Sequence, residues 1–182
     1  MVPLRPSALT VASPGGLLRE LKSELRVCTP IVDPAKPPDR ATGMVIGVWD
    51  TGASGSVITQ SVVDELEIQP IGMTKVHGVA GEHACPVYLV GLQLPMGVGF
   101  RSLRVTLGQL HGAQVLIGMD VITAGDFSIT NASGVTKMSF RIPSQANIDY
   151  VKETNSMGTS RQERRAQERK SAKNKGKGRT NP

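Results

Sequence analysis

The sequence predicts an all-β chain with little helix, and three observations predict it. Short apolar runs rich in Val, Ile and Leu recur through residues 43–143, each the length of a strand rather than of a buried helix. Glycine-bearing turn segments separate paired runs, at Ala80-Gly81-Glu82-His83 and at Asn131-Ala132-Ser133-Gly134. Apolar residues make up 39% of the chain but aromatic residues only 3%, so the core has to be aliphatic. Many short strands at this spacing describe a small barrel or sandwich.

Taken in order, Ser13-Pro14 followed by Leu17, Leu18, Leu21 and Leu25 predicts a short amphipathic helix, with Ser13 as cap and Pro14 at the first helical position. Thr29 to Thr42 carries Pro30, Pro34, Pro37 and Pro38 and reads as a linker or edge segment. Met44 to Trp49 and Val57-Ile58 are strands, and Gln60 to Leu66 makes one or two helical turns. Thr74 to Val79 and Pro86 to Leu94 form a hairpin with Gly81 in its turn. Phe100 to Leu107 alternates, Val115 to Ile117 is a short buried strand, and Gly125 to Thr130 with Val135 to Ile142 forms a second hairpin. Three regions result: an N-terminal extension over residues 1–42, a β domain over 43–143, and a tail over 144–182.

The net charge of +6 is unevenly placed. Residues 151–182 hold ten Lys or Arg and three Glu, whereas residues 1–150 hold eleven basic and twelve acidic residues. The body is nearly neutral and the tail is strongly basic. Within it, residues 161–170 suit a transient helix supported by Arg164 and Glu168 four apart, and 171–182 has too little apolar surface to fold alone. A disordered extension is expected, compatible with nucleic-acid contact through residues 152–182. No aromatic residue follows Tyr150, so base stacking has no support. No apolar stretch approaches the roughly 20 residues a membrane helix needs, and Met1 to Ser13 lacks a secretory pattern. Cys28 and Cys85 imply no disulfide framework. A cytoplasmic chain with no membrane partner and no cofactor is expected. Beginning with Met and lacking polymerase or zinc-knuckle motifs, it reads as free-standing.

Chemistry concentrates at Asp50, an acid in an otherwise uncharged stretch, Ile46-Gly-Val-Trp-Asp-Thr-Gly-Ala-Ser-Gly-Ser-Val-Ile58. Asp-Thr-Gly alone is ordinary turn material, with the carboxylate accepting local N–H groups. Its setting is more specific, since it lies between two apolar strands. Downstream, Val115-Leu-Ile-Gly-Met-Asp-Val-Ile122 again runs a buried strand into a glycine and a helical turn.

With His77-Gly-Val-Ala-Gly-Glu-His83 between these motifs, residues 43–143 resemble the retropepsin family of aspartic proteases. The resemblance implies a closed barrel with a flap hairpin and one short helix. It implies that Asp50, Thr51 and Gly52 are catalytic, with Thr51 bonding across to an opposite loop and Gly118 packing the short helix behind the active loop. Two carboxylates sharing one proton activate water and polarise a peptide carbonyl. This chain has a single Asp-Thr-Gly, so the resemblance implies a homodimer with one Asp50 from each subunit. It further implies an extended peptide substrate bound by Ala53, Ser54, Val57, Gly78, Val79, Ala80, Gly81, Ile117 and Val121. The chain departs from dimeric viral members at Ser54 and Met119, where those proteins often carry an acid and an arginine. Trp49 is also bulkier than the usual residue before the catalytic acid.

Other acids and potential ligands have plainer readings. His77, His83 and Cys85 lack a fourth partner, since Cys28 and His111 are poorly spaced, and no metal is expected. Asp120 supports the helix after Gly118, and Asp64 and Asp126 are surface residues. The competing function is an inactive peptide- or protein-binding module of the same shape, with the basic tail contacting nucleic acid.

Overall fold

A computed structural model describes residues 6–78 and 81–157. It divides into two compact units, Met1–Gln145 and Ala146–Pro182.

In the first unit the chain runs β1 (Ser7–Ala12), β2 (Lys22–Cys28), β3 (Val45–Trp49), β4 (Val57–Ile58), α1 (Gln60–Leu66), β5 (Gly72–Gly78), β6 (Gly81–Gln93), β7 (Gly99–Leu107), β8 (Val115–Ile117), α2 (Met119–Ile122), β9 (Asp126–Thr130) and β10 (Lys137–Ile142). Six strands close a ring in the order β2-β3-β8-β4-β7-β6, because β2 pairs with β3 on one side and with the end of β6 on the other. β3 with β8 and β4 with β7 are parallel, while the other ring pairs are antiparallel. Hydrophobic alternation drives this closure. In β2, Ser23, Leu25 and Val27 are buried while Glu24 and Arg26 face out.

β6 is long enough to serve two purposes. Its first four residues are exposed and pair with β5 in a projecting hairpin, and its later residues join the barrel wall. A bulge between Val90 and Leu92 re-aims the strand where it leaves β7 for β2. A separate three-stranded sheet, β1-β10-β9, packs on the barrel through Trp49, whose ring stacks on Phe127 and meets Phe140. Leu9, Met138, Phe140 and Ile142 thereby join Leu25, Ile58, Ile117 and Val121 in one continuous core.

The all-β class, both hairpins, α1 and the helical turn after Gly118 lie where the sequence placed them. The N-terminal helix does not. Residues 13–21 are irregular and Leu25 lies in a strand. Tertiary hydrogen bonds hold this segment extended. Ser13 N and Leu18 N donate to Thr136 O and Thr136 Oγ1, Thr136 N donates to Gly16 O, and Trp49 N donates to Leu21 O. The leucines form no buried stripe, since Leu17 is exposed and Leu25 fills the barrel. Strand β1 was not anticipated at all, and residues assigned to an N-terminal extension supply both β1 and one barrel strand. Among the described residues the barrel unit holds two short α-helices, α1 and α2, where one was expected.

The second unit contains α3, residues 150–157. Asp149 caps it, its Oδ1 accepting the N–H groups of Val151 and Lys152 at 3.1 Å. The expected helix at 161–170 and the disordered end at 171–182 lie outside the described residues. Among the described residues, no helix is long and apolar enough to cross a membrane.

Candidate active site

Asp50 stands at the C-terminal end of β3, where the chain leaves the barrel. Its N–H donates to Ile117 O (2.9 Å), continuing the β3–β8 pairing by one residue. The side chain is half-buried, and its Oδ1 accepts the Gly52 N–H at 2.8 Å. The turn over Asp50-Thr51-Gly52 is therefore the local bond expected of an Asp-Thr-Gly turn. A Cβ at Gly52 would lie 3.2 Å from Asp50 Oδ1. Thr51 and Gly52 are exposed, and among the described residues nothing in this chain bonds the Thr51 hydroxyl.

The loop carrying Asp50 is held from behind. Ser56 is 1% exposed, and its hydroxyl donates to Asp120 Oδ1 (2.8 Å) while accepting the Gly118 N–H (3.0 Å). Its own N–H donates to Asp120 Oδ2 at 3.0 Å. Met119 N donates to Ala53 O at 2.8 Å, and Thr106 N donates to Ser56 O at 3.1 Å. Gly118 permits this approach: a Cβ there would sit 2.6 Å from the Gly55 carbonyl carbon and oxygen and 3.0 Å from Ala53 O. Asp120 is thus a brace for the loop. Ser56 was missed in the sequence, and its only signal was a hydroxyl set directly before an apolar strand.

A second brace acts through Trp49. Its indole Nε1 donates to Ser23 Oγ at 2.9 Å inside the core, fixing the residue that precedes Asp50. Its bulk, anomalous in the sequence, fills the space between the barrel and the β1-β10-β9 sheet.

The expected substrate-binding residues separate into groups. Ala53 is half-buried, Ser54 is exposed, and Val57 is half-buried beside Gly108. Ile117 and Val121 are fully buried in the core. Gly78 pairs with Gly81 at the end of the hairpin, and Gly81 has φ +107°, the left-handed region that glycine tolerates. Val79 and Ala80 lie outside the described residues.

Other sequence candidates resolve as follows. His77 pairs with Glu82 and His83 with Val76, so the two imidazoles lie on opposite faces of the hairpin. Among the described residues no three His, Cys, Asp or Glu side chains cluster as metal ligands. A cavity of about 790 Å³ at the hairpin root is lined by Gln60, Cys85, His111 and Gln114 among others, and Asp50 is not in its wall. Burial pushes the Cys28 thiol above its ordinary value, with a backbone hydrogen bond at Gly91 working the other way. Asp126 is no plain surface acid, because it accepts bonds from Arg141 Nε (2.7 Å), the Ser144 hydroxyl and Gln145 N (2.9 Å).

No family model matches the chain, and no curated protein matches it. Among solved structures, it is similar to a retropepsin-like aspartic protease from Rickettsia conorii, at 11% identity over 78% of this chain and 98% of that one, with a TM-score of 0.44. It is similar to the EIAV protease, at 18% identity over 58% and 88%, with a TM-score of 0.42. It is also similar to the protease of Simian Foamy Virus, at 15% identity over 56% and 91%, with a TM-score of 0.39.

Proposed function

We propose that the chain is an aspartic endopeptidase whose dyad consists of Asp50 from two identical subunits. The observation that carries this reading is the treatment of one acid. Asp50 ends a barrel strand, its carboxylate is oriented by Gly52 N–H, and its loop is fastened by a Ser56–Asp120–Gly118 network.

A single carboxylate does not complete the chemistry. One ionised carboxylate takes a proton from water while a protonated one donates to the substrate carbonyl, so two must lie close together. Two such groups share a proton and titrate as a pair. With one Asp-Thr-Gly per chain, the second group comes from a symmetry mate across an isologous interface. The exposed Thr51 hydroxyl, without a partner among the described residues, suits a bond to the mate's loop. The β5–β6 hairpin would close over an extended peptide and exclude water.

Asp50→Asn tests the proposal. The substitution keeps the shape and the Gly52 bond but removes the ionisable group. Cleavage of an unstructured protein under mildly acidic conditions should fall at least about a thousandfold, as for loss of an essential acid–base group. Equal turnover by variant and parent would end the aspartic-protease reading, and a parent that binds peptide without cleaving it would leave a binding module instead.

A further inference from the structure

A cavity of about 560 Å³, without Asp50 in its wall, is bounded by residues 31–41 and by strands β2, β6 and β7. The Pro-rich segment on one side is pinned to the barrel. Thr29 N donates to Arg40 O and Ile31 N to Arg101 O, both at 2.9 Å, and Thr42 N donates to Val27 O at 2.8 Å. Pro37 and Pro38, which the sequence assigns to a linker, thereby form a stiff wall with no N–H of their own. Arg26 stands opposite Gln93 across the β2–β6 ladder, so their side chains share a face. Arg101 joins them from β7 and Lys36 from the segment above.

Three cations thus line one concavity, and among the described residues its wall holds no Asp or Glu. Neither guanidinium, of Arg26 or of Arg101, has an ion pair or hydrogen bond among the described residues. Asp33 reaches Lys36 only at 3.8 Å, and the Lys36 side chain is 78% exposed. Like charges gathered this way repel one another until an anion enters, and a concave wall focuses their field on it.

We propose that this cavity binds a small phosphorylated ligand, with Arg26 and Arg101 gripping the phosphate and Lys36 adding charge. The geometry selects phosphate among anions. Each guanidinium fork takes two oxygens, and forks arriving from different strands need acceptors pointing in different directions. A phosphate ester presents three such oxygens, whereas a carboxylate presents two in one plane. The volume is that of a pocket for an organic molecule, larger than a bare phosphate requires. Ile31 and the prolines offer the rest of the ligand an apolar bed.

Titration calorimetry of the full chain with inorganic pyrophosphate tests the site, and backbone amide shifts of the parent map it without any substitution. One saturable event with Kd below about 1 mM at low salt is expected, weakening as salt rises. The amide signals of Ile31, Ala41 and Gln93 should move. Arg26→Gln and Arg101→Gln should each weaken binding at least about tenfold, the worth of a hydrogen bond to a charged group. Lys36→Gln should weaken it by about threefold, as for a solvent-screened charge. All three side chains are exposed, so barrel unfolding should be unchanged and serves as the control. The proposal is overturned if pyrophosphate fails to saturate, or if either arginine variant binds as tightly as the parent. It is overturned equally if citrate binds as tightly as pyrophosphate, or if the shifts are confined to the basic residues 158–182.

Discussion

The carboxylate of Asp120 receives both the backbone N–H and the hydroxyl of Ser56, at 3.0 and 2.8 Å, across 64 residues of sequence. One side chain thereby fastens the loop that carries Asp50 to the turn after β8. Asp120→Ala leaves the buried Ser56 hydroxyl with a donor and no acceptor. The expected cost is about 2 kcal/mol of stability, the usual penalty for an orphaned buried polar group. Denaturant unfolding followed by emission of the single tryptophan measures it. Peptide cleavage should fall along with it, and a variant as stable as the parent would show that the brace is idle.

Gly118 makes a steric prediction at the same place. Gly118→Ala drives a methyl group to 2.6 Å from the Gly55 backbone, and backbone cannot swing aside as a side chain can. A loss of about 1–3 kcal/mol is expected, as for overpacking. Gly134→Ala, with open space around its Cβ position but φ +72°, provides a contrast in which only backbone strain acts. Crystallography or amide exchange of the Asp50 loop should show displacement in the first variant alone.

Activity should depend on protein concentration. If each chain contributes half a dyad, specific activity falls on dilution as dimers separate, with monomers visible by sedimentation. Constant specific activity from a sedimenting monomer contradicts a shared site.

The two cysteines should differ in reactivity. Cys28 is fully buried and its thiol is held above the ordinary value of 9.0 by that burial, whereas Cys85 is half-exposed beside a cavity. Iodoacetamide at neutral pH should modify Cys85 and spare Cys28 until the chain unfolds, as mass spectrometry would read directly. The sign for stability follows. Above about pH 9 the unfolded chain releases the Cys28 proton before the folded chain does, so stability falls as pH rises from there through the raised folded value. Substituting Cys28→Ala should flatten that limb.

Much of the fold was legible because its signals are local. Val115-Leu-Ile117 reads as a buried strand and Gln60 to Leu66 as a helix from their own residues. Ser13 to Leu25 was misread because leucine spacing matches a helix by coincidence, while the determining partner, Thr136, lies more than a hundred residues away. Asp50 stood out as an isolated acid in apolar surroundings. Ser56 did not, since a serine in a turn has no distinctive neighbours, and only the fold brings Asp120 to it. Ile117 and Val121 were expected among the substrate-binding residues and lie fully buried in the core, since a short strand and a one-turn helix fix no orientation in sequence.

Barrel closure has a consequence for how the protein is made. Strand β2 is synthesised early, yet one of its neighbours is residues 91–93, and β3 beside it waits for residues 115–117. A nascent chain interrupted before β8 therefore exposes raw β edges, with no partial ring that is content by itself. Maturation of this protein should be an all-at-once event late in translation, and a clipped N-terminus that removes β2 should yield an aggregating remnant rather than a trimmed, folded barrel.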